Sequence, residues 1–168
     1  TLIGEERVSA ALDRAHPEVA NTNPISAVLA AMEALGASRI AVITPYNAQV
    51  TTGIVSLLED RGLDVAAAGS FLEESDATVA RITEAAVADA VREMVCNSAG
   101  DPDAEALDAV FVSCTSLRAC GVAADLESEL GVAVVSSNLA FGWHLLRLAG
   151  INDQLTGLGR LFSLGLER

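Results

Sequence analysis

The chain reads as an α/β fold, a parallel sheet sandwiched by helices. Three observations predict it. Four short apolar runs, at 39–44 (RIAVIT), 63–68, 109–113 and 132–136, have the length of buried strands. Amphipathic helical patterns lie between them, long enough to carry the chain back across a sheet. Ala, Val and Leu supply most of a 51% hydrophobic content while aromatic residues make up 4%, as expected where helices pack on a sheet.

Taken in order, Gly4-Glu5-Glu6-Arg7-Val8 opens a helix predicted over 4–15, which ends before Pro17. Residues 19–22 are read as extended. Asn23-Pro24, a capping residue followed by a first-turn proline, starts a second helix that runs to Leu35 and stops at Gly36. The strand at 39–44 passes through Pro45-Tyr46-Asn47 into a helix ending near Arg61, with Gly62 as its cap. Strand two covers 63–68, and 69–83 is a loop holding Phe71, Glu73, Glu74, Ser75 and Asp76. A helix then runs from Thr83-Glu84 to Cys96, followed by a polar turn at 97–105. The third strand, 109–113, feeds a helix over 116–130. Strand four is 132–136, the next helix 138–150, and the Gly/Leu-rich tail from 157 to 166 forms a last strand or helix.

Composition excludes several functions. The formal net charge is −13, from 10 Lys+Arg against 23 Asp+Glu, and every fixed cation is Arg. A nucleic-acid partner needs a basic surface that such a chain lacks. No apolar run approaches the ~20 residues of a membrane span, so a cytoplasmic location without a membrane partner is the expectation. Three cysteines in no paired spacing argue against a disulfide framework and against a zinc site. GxGxxG, P-loop and HExxH patterns do not occur, which leaves no sequence basis for a cofactor or a metal.

In open α/β sheets the site lies at the carboxyl ends of the strands. Those ends read Thr44-Pro45-Tyr46-Asn47, Gly69-Ser70-Phe71, Ser113-Cys114-Thr115-Ser116 and Ser136-Ser137-Asn138. Hydroxyls, amides and helix-start N–H groups make this rim suited to carboxylates. Taken singly, each Ser, Thr or Asn also reads as a helix cap. Cys114 is the exception. A thiol between a buried strand and a helix start is placed where N–H groups and the helix dipole favour thiolate. Cys96 and Cys120 read as small buried hydrophobes. His144, on an apolar helix beside Trp143, reads as a hydrogen-bonded packing residue.

With those residues in view, the chain resembles the aspartate/glutamate racemase superfamily, in the branch of maleate cis-trans isomerase, arylmalonate decarboxylase and the ectoine-utilisation proteins. The resemblance rests on residues 4–8, 41–46, 71–76, 111–118 and 142–150, the last block being most like the ectoine-utilisation type. It implies two similar lobes with the active site between them and one cysteine from each. Residues 1–35 would then be the remainder of the amino-terminal lobe. Residues 36–137 would be the carboxyl-terminal lobe carrying Cys114, and 138–168 a helix and tail returning to the first lobe. The first-lobe cysteine of relatives precedes a stretch like Leu2-Ile3-Gly4-Glu5-Glu6-Arg7. Because the chain opens straight into a helix with no initiator Met, it reads as a piece of a longer protein with that lobe incomplete.

The same resemblance gives Cys114 as catalytic acid/base and Tyr46 as donor to a substrate carboxylate, with Thr44, Pro45 and Asn47 shaping the pocket wall. Backbone N–H groups along Ser113, Thr115 and Ser116 would hold a second carboxylate, and Asn23 would face the cleft. Asp76 lies near a substrate-binding position of relatives. The expected function is a cofactor-independent isomerase of small carboxylates or dicarboxylates, with no metal and a homodimer as the usual assembly. An arylmalonate-type decarboxylase and a catalytically silent acid-binding protein are the alternatives.

Overall fold

A computed structural model describes residues 4–99 and 105–166; Thr1, Leu2, Ile3 and most of the predicted polar turn at 97–105 lie outside the described residues. Helix α1 spans Glu5–Ala15. Helix α2, Pro24–Leu35, begins as the sequence implies: the Asn23 carboxamide oxygen accepts from the Ile25 and Ser26 N–H groups at 3.0 Å. It ends on Gly36, whose φ of 65° is the left-handed value that glycine takes without strain.

Strand β1, Arg39–Thr44, is followed by α3, Ala48–Glu59, and β2, Asp64–Ser70. The loop expected at 69–83 contains a one-turn helix, α4, at Asp76–Val79. Helix α5, Glu84–Ala99, leads towards β3, Ala109–Val112. Helix α6, Ala123–Leu130, β4, Ala133–Ser136, and α7, Ser137–Leu148, complete the alternation, and the tail makes a 3-10 turn at Arg160–Ser163. The expectation of a helix from 116 is corrected. Residues 115–122 are a non-helical excursion, and α6 begins seven residues later than the pattern implied. Ser116 and Arg118 are exposed there, while Leu117 and Ala119 turn inward and are buried. The alternation comes from a loop pinned by two apolar anchors, and an eye for helical period cannot tell it from a first turn.

All four strands are parallel, in the order β2-β1-β3-β4. β1 and β3 are buried along their length, as central strands of a parallel sheet must be. Helices α5 and α6 pack together, and α2 and α7 form a second pair over β4. Trp143, Phe111, Met32, Ile40 and Ile43 are among the largest fully buried side chains, each worth roughly 1.5–3 kcal/mol of burial. Of the described helices, none is long and apolar enough to cross a membrane.

This order decides where a site can form. From β1 the chain crosses to β2 on one side, and β3 is laid down on the other side of β1. The connections leaving the carboxyl ends of β1 and β3 therefore diverge and open a crevice between them. At the opposite end the Asp108 carboxylate accepts from the N–H groups of Ser38 and Arg39, at 2.9 and 2.8 Å. Those bonds hold its carboxyl below the usual carboxylate range, the Arg39 N–H contributing most and the Ser38 N–H next. They also fix the β1–β3 register. Ile43 pairs with Val112, and the Ser113 N–H reaches the Ile43 carbonyl at 2.7 Å.

Candidate active site at the carboxyl ends of β1 and β3

The register brings two of the predicted residues together. Tyr46 follows β1 by two residues, Cys114 follows β3 by two, and the phenol lies within hydrogen-bonding influence of the thiol. Burial pushes the Tyr46 hydroxyl well above its ordinary pKa; the bond to Cys114, the charge of that sulfur and the Asp76 carboxylate push it further in the same direction. At neutral pH Tyr46 is therefore a protonated donor. Asp76, the first residue of α4, is near enough for its carboxylate to act on the Tyr46 hydroxyl.

Cys114 is 7% exposed and free. Its sulfur accepts a hydrogen bond from the Ser116 N–H at 3.2 Å. This corrects the expected origin of its environment: no helix starts there, so an individual peptide N–H meets the sulfur in place of a helix dipole. A sulfur that receives an N–H and stands beside a protonated phenol is placed to pass a proton.

The turn carrying Tyr46 is held by hydroxyls. Thr44 is fully buried; its hydroxyl pairs with that of Thr51 at 2.7 Å and accepts from the Tyr46 N–H at 3.3 Å. The Thr51 hydroxyl donates to the Asn47 carbonyl at 3.0 Å, and the Ser70 hydroxyl to the Tyr46 carbonyl. Pro45 is buried, its carbonyl accepting from the Glu73 N–H at 2.7 Å. Leu72, just before Glu73, has a φ of 57° and is 65% exposed. Ser70 was read only as part of the rim, and Thr51 was missed in the sequence. Thr51 is an ordinary residue of a helical pattern, and only the sheet register shows which hydroxyl it meets.

The remaining candidates divide. Ser113 is buried and its N–H continues the β1–β3 ladder. Thr115 and Ser116 are exposed at the rim. Asn47 caps α3, its carboxamide oxygen accepting from the Val50 N–H at 3.0 Å. Asn23 is 8% exposed, and both ends of its carboxamide are committed, the nitrogen donating to Ser26 at 2.8 Å and the oxygen capping α2. These two asparagines are helix caps in this structure. His144 meets the Thr22 hydroxyl through Nδ1 at 2.8 Å and stacks beside Trp143. Cys120 lies in the same loop as Cys114, its sulfur 3.5 Å from the Ser136 hydroxyl at the end of β4. Cys96 is exposed, which corrects its reading as a buried hydrophobe.

Comparison with known proteins places the whole chain in one family. The arylmalonate decarboxylase family matches residues 5–162. The arylmalonate decarboxylase of Bordetella bronchiseptica is 32% identical over 145 residues, covering 84% of this chain and 57% of the relative. A maleate isomerase of Pseudomonas putida is 25% identical over 138 residues, covering 82% of this chain and 52% of its own length. A crystal structure of arylmalonate decarboxylase superposes with a TM-score of 0.76 at 31% identity, over 96% of this chain and 71% of that one. The chain thus spans little more than half the length of the curated relatives. A parallel sheet with a thiol and a phenol at its central crevice, together with a match running from α1 to the closing 3-10 turn, makes this chain a member of the arylmalonate decarboxylase family, within the aspartate/glutamate racemase type of fold.

Proposed function

We propose that the protein to which this chain belongs is a cysteine-dependent, cofactor-independent enzyme acting at the carbon beside a carboxylate of a small acid. One observation carries the reading: the Cys114 thiol, bonded by the Ser116 N–H, faces the Tyr46 phenol at the crevice between β1 and β3. The arylmalonate decarboxylase relative, at 32% identity, favours decarboxylation of a malonate-type diacid. One C–C bond breaks and carbon dioxide leaves. Its electron pair passes into the remaining carboxylate as an enediolate, and the Cys114 S–H delivers the proton to carbon. The thiol is restored by a proton from water. Tyr46, protonated at neutral pH, supplies an O–H to the enediolate oxygens, where developing charge gains most from a fixed donor.

The maleate isomerase relative, at 25% identity, supports the second reading, in which Cys114 is the acid/base partner of a nucleophile from the other lobe. The ectoine-utilisation type rests on the sequence of residues 142–150 alone. The test is turnover by the complete protein of phenylmalonate, followed as carbon dioxide, and of maleate, followed as fumarate. Cys114→Ala should lose about 10²–10⁴-fold in rate on whichever acid is turned over, the usual worth of one positioned acid/base group. Full turnover in that variant removes Cys114 from the chemistry, and ligand binding with neither reaction leaves the acid-binding protein.

A further inference from the structure

The helix that the sequence promised after Cys114 is absent, and with it the hydrogen-bond ladder that would hold the Ser116 N–H on the sulfur. Thr115 and Ser116 are both exposed, so packing does not hold that peptide either. Something else must. The carbonyl of Thr115 and the N–H of Ser116 belong to one peptide unit. Asn138, on the first turn of α7, donates its side-chain N–H to the Thr115 carbonyl at 2.9 Å. No peptide in the described chain is cis, and in a trans unit the C=O and N–H point in opposite directions. The peptide is therefore clamped between Asn138 on one side and the Cys114 sulfur on the other.

We propose that Asn138 is a positioning residue for the Cys114 sulfur, acting through the single peptide that joins Thr115 to Ser116. Its amide does two things. It opposes the peptide flip that would turn the Ser116 N–H away from the sulfur, and it withdraws electron density from the carbonyl, strengthening the N–H at the other end. The chain of bonds runs from α7, at the outer strand of the sheet, to the thiol beside β3. The proposal rests on Cys114 being the reacting thiol, and it adds the element that sets how charge on that thiol is received. Tyr46 from the β1 turn also faces the site, the Asp76 carboxylate of α4 acts on its hydroxyl, and Cys120 lies in the same loop against Ser136; all three are unchanged in the comparison below.

The test reads the sulfur itself. Iodoacetamide alkylates a thiolate, the sulfur displacing iodide to leave a thioether. Its rate at Cys114, located by peptide mass in a Cys96→Ser background, is followed from pH 6 to pH 10. Asn138→Leu keeps the shape and removes the donor. It should react about three- to tenfold more slowly at pH 7, the difference closing as the pH rises toward 10, as expected for one neutral hydrogen bond weakened at the charged form. Asn138→Ala, neutral and also without a donor, should show the same displacement and supplies the measurement if the leucine variant does not fold. Superposed profiles overturn the proposal. So does a rate reduced by one factor at every pH, which would mark a loop merely rearranged. Turnover by Cys114→Ala reports on the catalytic reading separately, since the alkylation profile needs no turnover.

Discussion

At the residue scale, two side chains define the proposed site, and each stands where an apolar run ends. The placement of Cys114 and Tyr46 was legible because a buried strand has a fixed exit, and whatever follows it lies at the sheet edge. Their contact was not legible, because it depends on β1 and β3 being neighbours although α3, β2, α4 and α5 separate them in sequence. Asn23 and Asn47 looked equally good as ligands. An asparagine before a helix offers the same oxygen to a substrate or to the helix N–H groups, and here it is given to the helix. The Tyr46 hydroxyl is argued to bind the acid by donation alone. Tyr46→Phe should therefore lower kcat/KM about 10- to 100-fold, the worth of one hydrogen bond to a charged group, with the fold intact. Steady-state kinetics with circular dichroism as a folding control checks it, and equal kcat/KM values would show that the phenol does not touch the acid.

Among the elements, the carboxyl-terminal part of the chain is the clearest case of polar groups serving architecture. Arg147 on α7 is 5% exposed, and its guanidinium donates to the carbonyls of Leu164 and Ile151 at 2.8 Å, Phe162 at 3.1 Å and Asp153 at 3.3 Å. The Trp143 indole N–H reaches the same Leu164 carbonyl at 3.1 Å. One arginine thus satisfies carbonyls of a stretch whose regular structure is a single 3-10 turn, which is why the Gly/Leu-rich tail could not be assigned as strand or helix from its pattern. Arg147→Met should cost about 2–4 kcal/mol by leaving buried carbonyls without donors, read as a lower urea midpoint; an unchanged midpoint would mean that water replaces the guanidinium. Glu127 on α6 anchors the other side, accepting from the Val134 N–H at 3.0 Å and the Arg160 N–H at 2.6 Å. A substituent at Gly159 would meet that carboxylate at 3.0 Å, so the glycine, at a φ of 87°, is required twice over. His144 on α7 carries a pH signature. Burial lowers its pKa below the ordinary 6.5, so the unfolded chain binds the proton first as pH falls. Its contribution to stability is then present above pH 6.5 and lost below it. Urea midpoints at pH 5.5 and 7.5 should therefore differ less in His144→Gln than in the parent, and an identical difference would show that the imidazole does not titrate between the two states.

For the whole molecule, the predicted alternation of strands and helices produced the parallel sheet, and the sheet order produced the crevice. What periodicity could not supply was the strand order and the seven-residue delay of α6, the latter accompanying the burial of Leu117 and Ala119. The chain covers 57% of its decarboxylase relative, and the crevice it forms is one wall of the proposed site. The claim on which this reading depends is that an acid binds against the Cys114 sulfur. Exposed Cys96 provides an internal control, since its alkylation should not sense that ligand. Phenylmalonate or maleate added to the complete protein should slow alkylation of Cys114, in proportion to occupancy, while Cys96 reacts at its unliganded rate. Equal alkylation of Cys114 with and without saturating acid would contradict the account.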